Sequence, residues 1–266
     1  MKFKVTMLSL LLASGASAQT VNTVVDVYSN DNNDFEDIGI SAIHYFQGRQ
    51  TRGPLDQFSL INSNSFISAG YVKSNFVKNT AVGGQWHSDT GVFLGAGYSR
   101  FDSRSDLSGD IDREIYSGTL GYQASERWSV SATVMDAEGA DNVVMFDANY
   151  EHDLGNNDYL GFSYRTNDDT DFHNLGMSYF STLENGQYLI LNANYSDYDG
   201  GEESWDVGAE WYFNEGTSVF ANIGDEDAWQ LGAQHYFTQN WAIAASVSDS
   251  DLAPDSTVAL NLRAQF

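Results

Sequence analysis

From Trp128 to its last residue the chain alternates apolar and polar side chains with period two, which restricts it to β-strands that present different faces to different surroundings. "WSVSATVMD" puts Trp128, Val130, Ala132 and Val134 on one face and Ser129, Ser131 and Thr133 on the other. "AWQLGAQHYF" sets Trp229, Leu231, Ala233 and Phe237 against Gln230, Gly232, Gln234 and Tyr236, and "WAIAASVSDS" repeats the pattern from Trp241. The final run, "TVALNLRAQF", carries the alternation to a C-terminal phenylalanine: Val258, Leu260, Leu262, Ala264 and Phe266 share a face. Chain ends ordinarily fray unless tied down. A strand patterned to its terminal carboxylate must be held by a neighbour.

Two kinds of connector alternate between the runs. One is tight: "SDTG" at 88–91, "SER" at 125–127, "GNN" at 155–157, "ENG" at 184–186, "NEG" at 214–216 and "TQN" at 238–240. The other is longer and acidic: "DSRSDLSGDID" at 102–112, "DAEGAD" at 136–141, "TNDDTD" at 166–171, "SDYDGGEES" at 196–204, "GDED" at 224–227 and "SDSDLAPDS" at 248–256. This rhythm is the sidedness of an up-and-down antiparallel barrel in an outer membrane, with short turns at one end and larger loops at the other. A sandwich or propeller has turn signals too, but no reason to segregate acid onto every second connector. Fourteen strands count back from Phe266 to 65–74, and "DIGISAIHYFQ" at 37–47 with "VNTVVDVYS" at 21–29 raises the number to sixteen. Sixteen is the favoured count, with fourteen the alternative, and sixteen puts both termini at the short-turn end. One short-turn connection is then irregular: "GRQTRGPLDQFSLINSN" at 48–64.

The N-terminus supplies an address. Lys2 and Lys4, the apolar "VTMLSLLLA" and the small-residue stretch Ala16-Ser17-Ala18 form a secretory signal peptide at 1–18, too short to span a bilayer as a helix. The barrel domain is then 19–266. There is no cysteine, so the exported chain depends on its own hydrogen-bonded architecture. With 12 Lys and Arg against 37 Asp and Glu, the formal charge is −25, which excludes nucleic acid as a partner and favours cations. The mean hydropathy of −0.36 is compatible with a membrane, since a barrel strand averages lipid-facing and lumen-facing residues.

Aromatic residues support a membrane belt at each end. Trp128, Tyr159, Tyr188, Phe237 and Trp241 lie near short turns, and Tyr98, Tyr116, Tyr150, Tyr164, Tyr195 and Trp205 lie toward the other strand ends. If the Trp, Leu and Val positions face lipid, then Arg113, Asp147, Arg165, Asp206, Glu210 and Arg263 point inward and line a wet pore. An Arg facing lipid at mid-depth costs about 2–4 kcal/mol, which warrants the assignment. Sixteen strands leave an aqueous bore where eight are filled by side chains.

Catalysis has no visible machinery. The histidines, His44, His87, His152, His173 and His235, are scattered over different strands without the spacing of a nucleophile–base pair, and the chain reads as no enzyme. "SDYDGGEES" offers Asp197, Asp199, Glu202 and Glu203 as an acidic outer loop, but it lacks the spacing of a calcium loop. No metal site or cofactor is expected, although divalent cations could gather at such loops.

With the signal peptide, the C-terminal "LNLRAQF" and "GPLDQFSLINSNSFISAGY" from Gly53 to Tyr71, the chain resembles a porin family of Gram-negative proteobacteria. The barrel-level likeness covers the mature chain, and Gly53–Tyr71 is its family-specific stretch. The resemblance implies an integral outer-membrane barrel that passes small hydrophilic solutes and ions; the acidic loops and the scarcity of Lys and Arg after Trp128 add the expectation of a modest cation preference. A non-conducting structural or adhesion barrel is the alternative. It also implies that Phe266 is an assembly signal read by the outer-membrane assembly machinery, that lipid and lipopolysaccharide surround the barrel, and that a homotrimer is open.

Overall fold

A computed structural model describes residues 20–32, 36–103, 111–169, 171–201, 203–251 and 255–266. The signal peptide at 1–18 and Glu202 lie outside the described residues. Sixteen strands follow in chain order: β1 (Thr20–Asp31), β2 (Glu36–Gln50), β3 (Phe66–Lys73), β4 (Val77–His87), β5 (Val92–Ser103), β6 (Ile111–Ser125), β7 (Trp128–Ala137) and β8 (Val143–Gly155) form the first half. The second half is β9 (Asp158–Asn167), β10 (Phe172–Thr182), β11 (Tyr188–Tyr198), β12 (Ser204–Asn214), β13 (Thr217–Gly224), β14 (Trp229–Thr238), β15 (Trp241–Asp249) and β16 (Thr257–Gln265). Each pairs antiparallel with its sequence neighbours, and β1 pairs with β16, so the sheet closes and has no free edge. The count is sixteen rather than fourteen.

The closing seam explains the patterned C-terminus. Val24 to Asp31 pair with Gln265 to Val258, and the Phe266 carbonyl accepts from the Asn22 and Thr23 amides at 2.6 and 2.8 Å. The Phe266 amide returns a bond to the Thr23 carbonyl, and its ring stands edge-on to Trp241 at 6.0 Å. The last residue is therefore part of the ladder that makes the sheet a cylinder.

Alternation assigns the two faces. Large apolar side chains stand exposed along one of them, among them Leu120, Val130, Phe146, Phe162, Leu175, Trp211, Leu231 and Leu260. That outer face matches lipid. The tight connections join even to odd strands, except that β2 and β3 are joined by the long segment 51–65. At the other end the connections run from three residues, 74–76 between β3 and β4, to seven, against two at most of the short-turn links, with β4–β5 and β10–β11 longer at four and five.

Alternation also corrects part of the aromatic reading. Tyr159 and Tyr188 are 2% and 8% exposed and point into the barrel, where they pack with Phe180, Ile190 and Tyr212. Tyr150 belongs to the belt at the short-turn end, because its ring lies 4.4 Å from that of Trp128, the first residue after the turn. The outer belt at that end is completed by Trp86, Trp211 and Phe213, all exposed.

Candidate functional site

The interior is where charge collects. Opposite Phe146 and Tyr164 on the outer face, Asp147 and Arg165 sit at paired positions of β8 and β9, and the Arg165 Nε donates to the Asp147 carboxylate at 2.6 Å. Asp206 accepts from the Asn194 amide at 3.0 Å, and Glu210 accepts from the Ser218 hydroxyl at 2.6 Å. Arg263 makes a two-pronged contact to Asp26 across the β1–β16 seam, at 2.8 and 3.2 Å. Arg113 shares the inner face of β6 with Ile115, Ser117 and Thr119, near the strand's loop end and in register with Phe101. These six charges come from five strands, Asp206 and Glu210 sharing β12, and do not converge on one point. They are distributed along the length of the interior.

A denser arrangement occupies the short-turn mouth, and it is built on segment 51–65. Leaving β2, the chain turns into the barrel at Gly53, whose φ of +113° is open to glycine. A Cβ there would meet the Tyr188 ring at 2.4 Å. Pro54 and Leu55 follow, both buried, with Leu55 packed against Tyr236 and Ala242. The Leu55 amide donates to the Glu215 carbonyl at 2.9 Å and its carbonyl accepts from the Gln265 side chain at 3.0 Å.

Two carboxylates hold this segment. Asp56 accepts from the Tyr212 hydroxyl at 3.0 Å and from the Gln234 amide, and it faces the Arg263 guanidinium at 3.8 Å. Glu151, only 3% exposed at the end of β8, is the more enclosed. It takes an ion pair from Arg52, a hydrogen bond from the Ser59 hydroxyl at 3.1 Å and one from the Leu60 amide at 2.9 Å. A buried carboxylate is tolerable only when its lone pairs are met in this way. Arg52 also lies 5.0 Å over the Tyr159 ring, and Gln57 donates to the Tyr159 hydroxyl at 2.7 Å. At the base, Arg49 donates to the Ser59 carbonyl at 2.7 Å and stacks 4.7 Å from the Phe58 ring.

Asp26, Arg49, Arg52, Asp56 and Glu151 are absent from the sequence-derived set, while Glu210 and Arg263 belong to both. Asp26 and Glu151 could have been found by alternation, since Val27 and Tyr150 beside them face outward. The partners of Asp56 lie 156 and 178 residues away, a separation no local pattern reports.

The acidic loop and the histidines are elsewhere. Asp197 ends the outer face of β11, and Asp199 and Glu203 lie in the following connection. Among the described residues no group of three or more His, Cys, Asp or Glu is arranged to hold a metal ion. His44, His152, His173 and His235 lie on the outer face, bonded through Nδ1 to Thr23, Tyr150, Tyr164 and Thr217. His87 is inside, stacked on Phe93 at 5.0 Å. The five belong to different strands, and none of these contacts forms a nucleophile–base pair with an orienting carboxylate.

Comparison with known proteins agrees with this geometry. A family model described as "Putative general bacterial porin" matches residues 1–266. No protein with a curated description matches the chain. Among solved structures, the outer membrane protein Omp33 of Acinetobacter baumannii is similar with a TM-score of 0.58 at 13% identity, covering 94% of this chain and 100% of that one. A triple mutant of the Rhodopseudomonas blastica porin is similar at 0.53 and 12% identity, covering 93% and 99%. Identities this low speak to the fold.

Proposed function

The chain belongs to the general bacterial porin family and is an outer-membrane β-barrel, and from that premise we propose that it is a passive diffusion channel for small hydrophilic solutes and ions, with a modest preference for cations. The observation that carries the reading is the contrast between the two faces of one closed cylinder. Large apolar side chains cover the outside, while Asp147, Arg165, Asp206, Glu210 and Arg263 stand inside. Charges facing inward keep an interior wet. In this reading those five and Arg113 line the water path, and the barrel performs no chemistry on what passes.

Cation preference follows from where the acid lies. From Trp128 to Phe266 the basic residues are Arg165 and Arg263, whereas the loop end of the sequence carries Asp197, Asp199, Glu202 and Glu203 among other acids. Inside, Arg165 and Arg263 are neutralised by Asp147 and Asp26, so little net field remains there. Discrimination therefore arises at the vestibule, where negative loops enrich cations, divalent ones included, and where those cations bridge to anionic lipopolysaccharide. Such an effect weakens as the Debye length shrinks to about 3 Å near 1 M salt. The test is the reversal potential across a KCl gradient at low and high ionic strength, before and after neutralising Asp197, Asp199, Glu202 and Glu203. The reading expects cation preference at low salt that both treatments reduce. Anion preference at low salt, or a cation preference indifferent to both treatments, sinks it.

A further inference from the structure

We infer that residues 51–65 form the constriction of the channel, that they enter it from the short-turn, periplasmic mouth, and that they leave the passage against the inner wall of β4–β7. This rests on the channel reading above. In a ring of sixteen strands β10 and β11 stand opposite β2 and β3. The segment leaves β2, and its tip meets Tyr188 of β11 and the carbonyl of Glu215 between β12 and β13. It thus crosses the full width of the barrel. Its contacts then fall on one arc: Glu151 of β8, Tyr159 of β9, Tyr212 of β12, Gln234 of β14, Arg263 and Gln265 of β16. Inward-pointing Phe180, Tyr188 and Tyr236, all buried, fill the same arc further.

The opposite wall is built differently. The inner face of β4–β7 carries large side chains toward its two ends, His87 stacked on Phe93 at the short-turn end and Phe101 and Met135 toward the loops, but between them Gly83, Gly97, Ser117, Thr119, Ser131 and Thr133 make a patch of small side chains. Beside it, a concavity lined by Asp26, Ser41, Ser68, Gly70, Ala81 and Gly83 extends the same small-residue surface over β1–β4. Bulk and hydrogen bonds on one arc, with a band of glycine and hydroxyls midway along the other, displace the water path off the barrel axis.

The bar is fixed rather than swinging. Releasing it exposes or orphans Glu151, whose carboxylate holds Arg52, Ser59 and Leu60 together, and buried charges resist that separation. Its ionic groups nearly balance, with Arg49, Arg52 and Arg263 set against Asp26, Asp56 and Glu151 and Arg263 shared between the two aspartates, so the constriction sorts by size while the vestibule sorts by charge.

Two variants test this in planar bilayers alongside the wild type. In the first, residues 53–63 are replaced by a short Gly-Ser link; in the second, Ser131→Cys is introduced into this cysteine-free chain and labelled with a bulky thiol reagent. The shortened barrel is expected to conduct more by about a factor of two or longer, and to admit larger oligosaccharides into liposomes. Labelled Ser131→Cys is expected to lose about half its conductance or more. An unchanged shortened barrel, or an unaffected labelled one, overturns the inference, and if the shortened chain does not fold the cysteine arm decides. A wild type that never conducts overturns the channel reading itself, which is a separate and recognisable failure.

Discussion

At the scale of single residues, Glu151 and Phe266 do the most specific work. Glu151 is a carboxylate that three donors from one segment satisfy, so removing its charge leaves Arg52 without its counter-ion in a partly enclosed place. Glu151→Gln keeps the shape and the acceptor for Leu60 but forfeits the ion pair. The expected cost is about 1–3 kcal/mol, read as a lower denaturant midpoint of the folded barrel in detergent. A midpoint equal to the wild type's would mean that the segment is held by its other contacts alone. Phe266 has a different task, since its backbone closes the seam with Thr23 and its ring packs on Trp241. Phe266→Asp puts a charge at the closing edge and removes the aromatic end that the assembly machinery is expected to read. Much less heat-modifiable protein should reach the outer membrane. Normal levels would show that the terminal aromatic is dispensable.

At the scale of elements, the strands were readable and the constriction was not, for one physical reason. A strand between lipid and water writes its own period into the sequence, so runs such as 128–136 and 240–249 predict β7 and β15 within a residue of their ends. Segment 51–65 has no such period, because what holds it is scattered over five strands that are distant in sequence. Its length and irregularity marked it as unlike its fellow turns, and that was all the chain could say. Tyr159 and Tyr188 were misplaced for a related reason. Closeness to a turn is a weaker guide than parity, and the exposed neighbours Phe162 and Leu191 put both tyrosines inside. The inward face of Gly53 offers a test at this scale. Gly53→Val must leave its φ of +113° and meet the Tyr188 ring, so the tip should unseat while the cylinder persists. Proteolysis should then reach the segment from the periplasmic side at a rate well above that of the wild type. Equal protection would contradict the tight docking of the tip.

At the scale of the whole molecule, sixteen strands close through β1 and β16 into a cylinder that is apolar outside and charged within. Lipid and water are thereby separated by one layer of backbone that is hydrogen-bonded strand to strand around a closed ring. Sequence alternation, the family match and the fold agree on an outer-membrane porin. The account divides selectivity between a negative vestibule and a neutral, off-axis constriction, and both require a water path from mouth to mouth. Single-channel recording of the purified wild-type barrel in a planar bilayer examines that requirement most directly. The account predicts discrete, stable conductance steps that scale with salt concentration. A folded, heat-modifiable barrel that inserts and never conducts would contradict it.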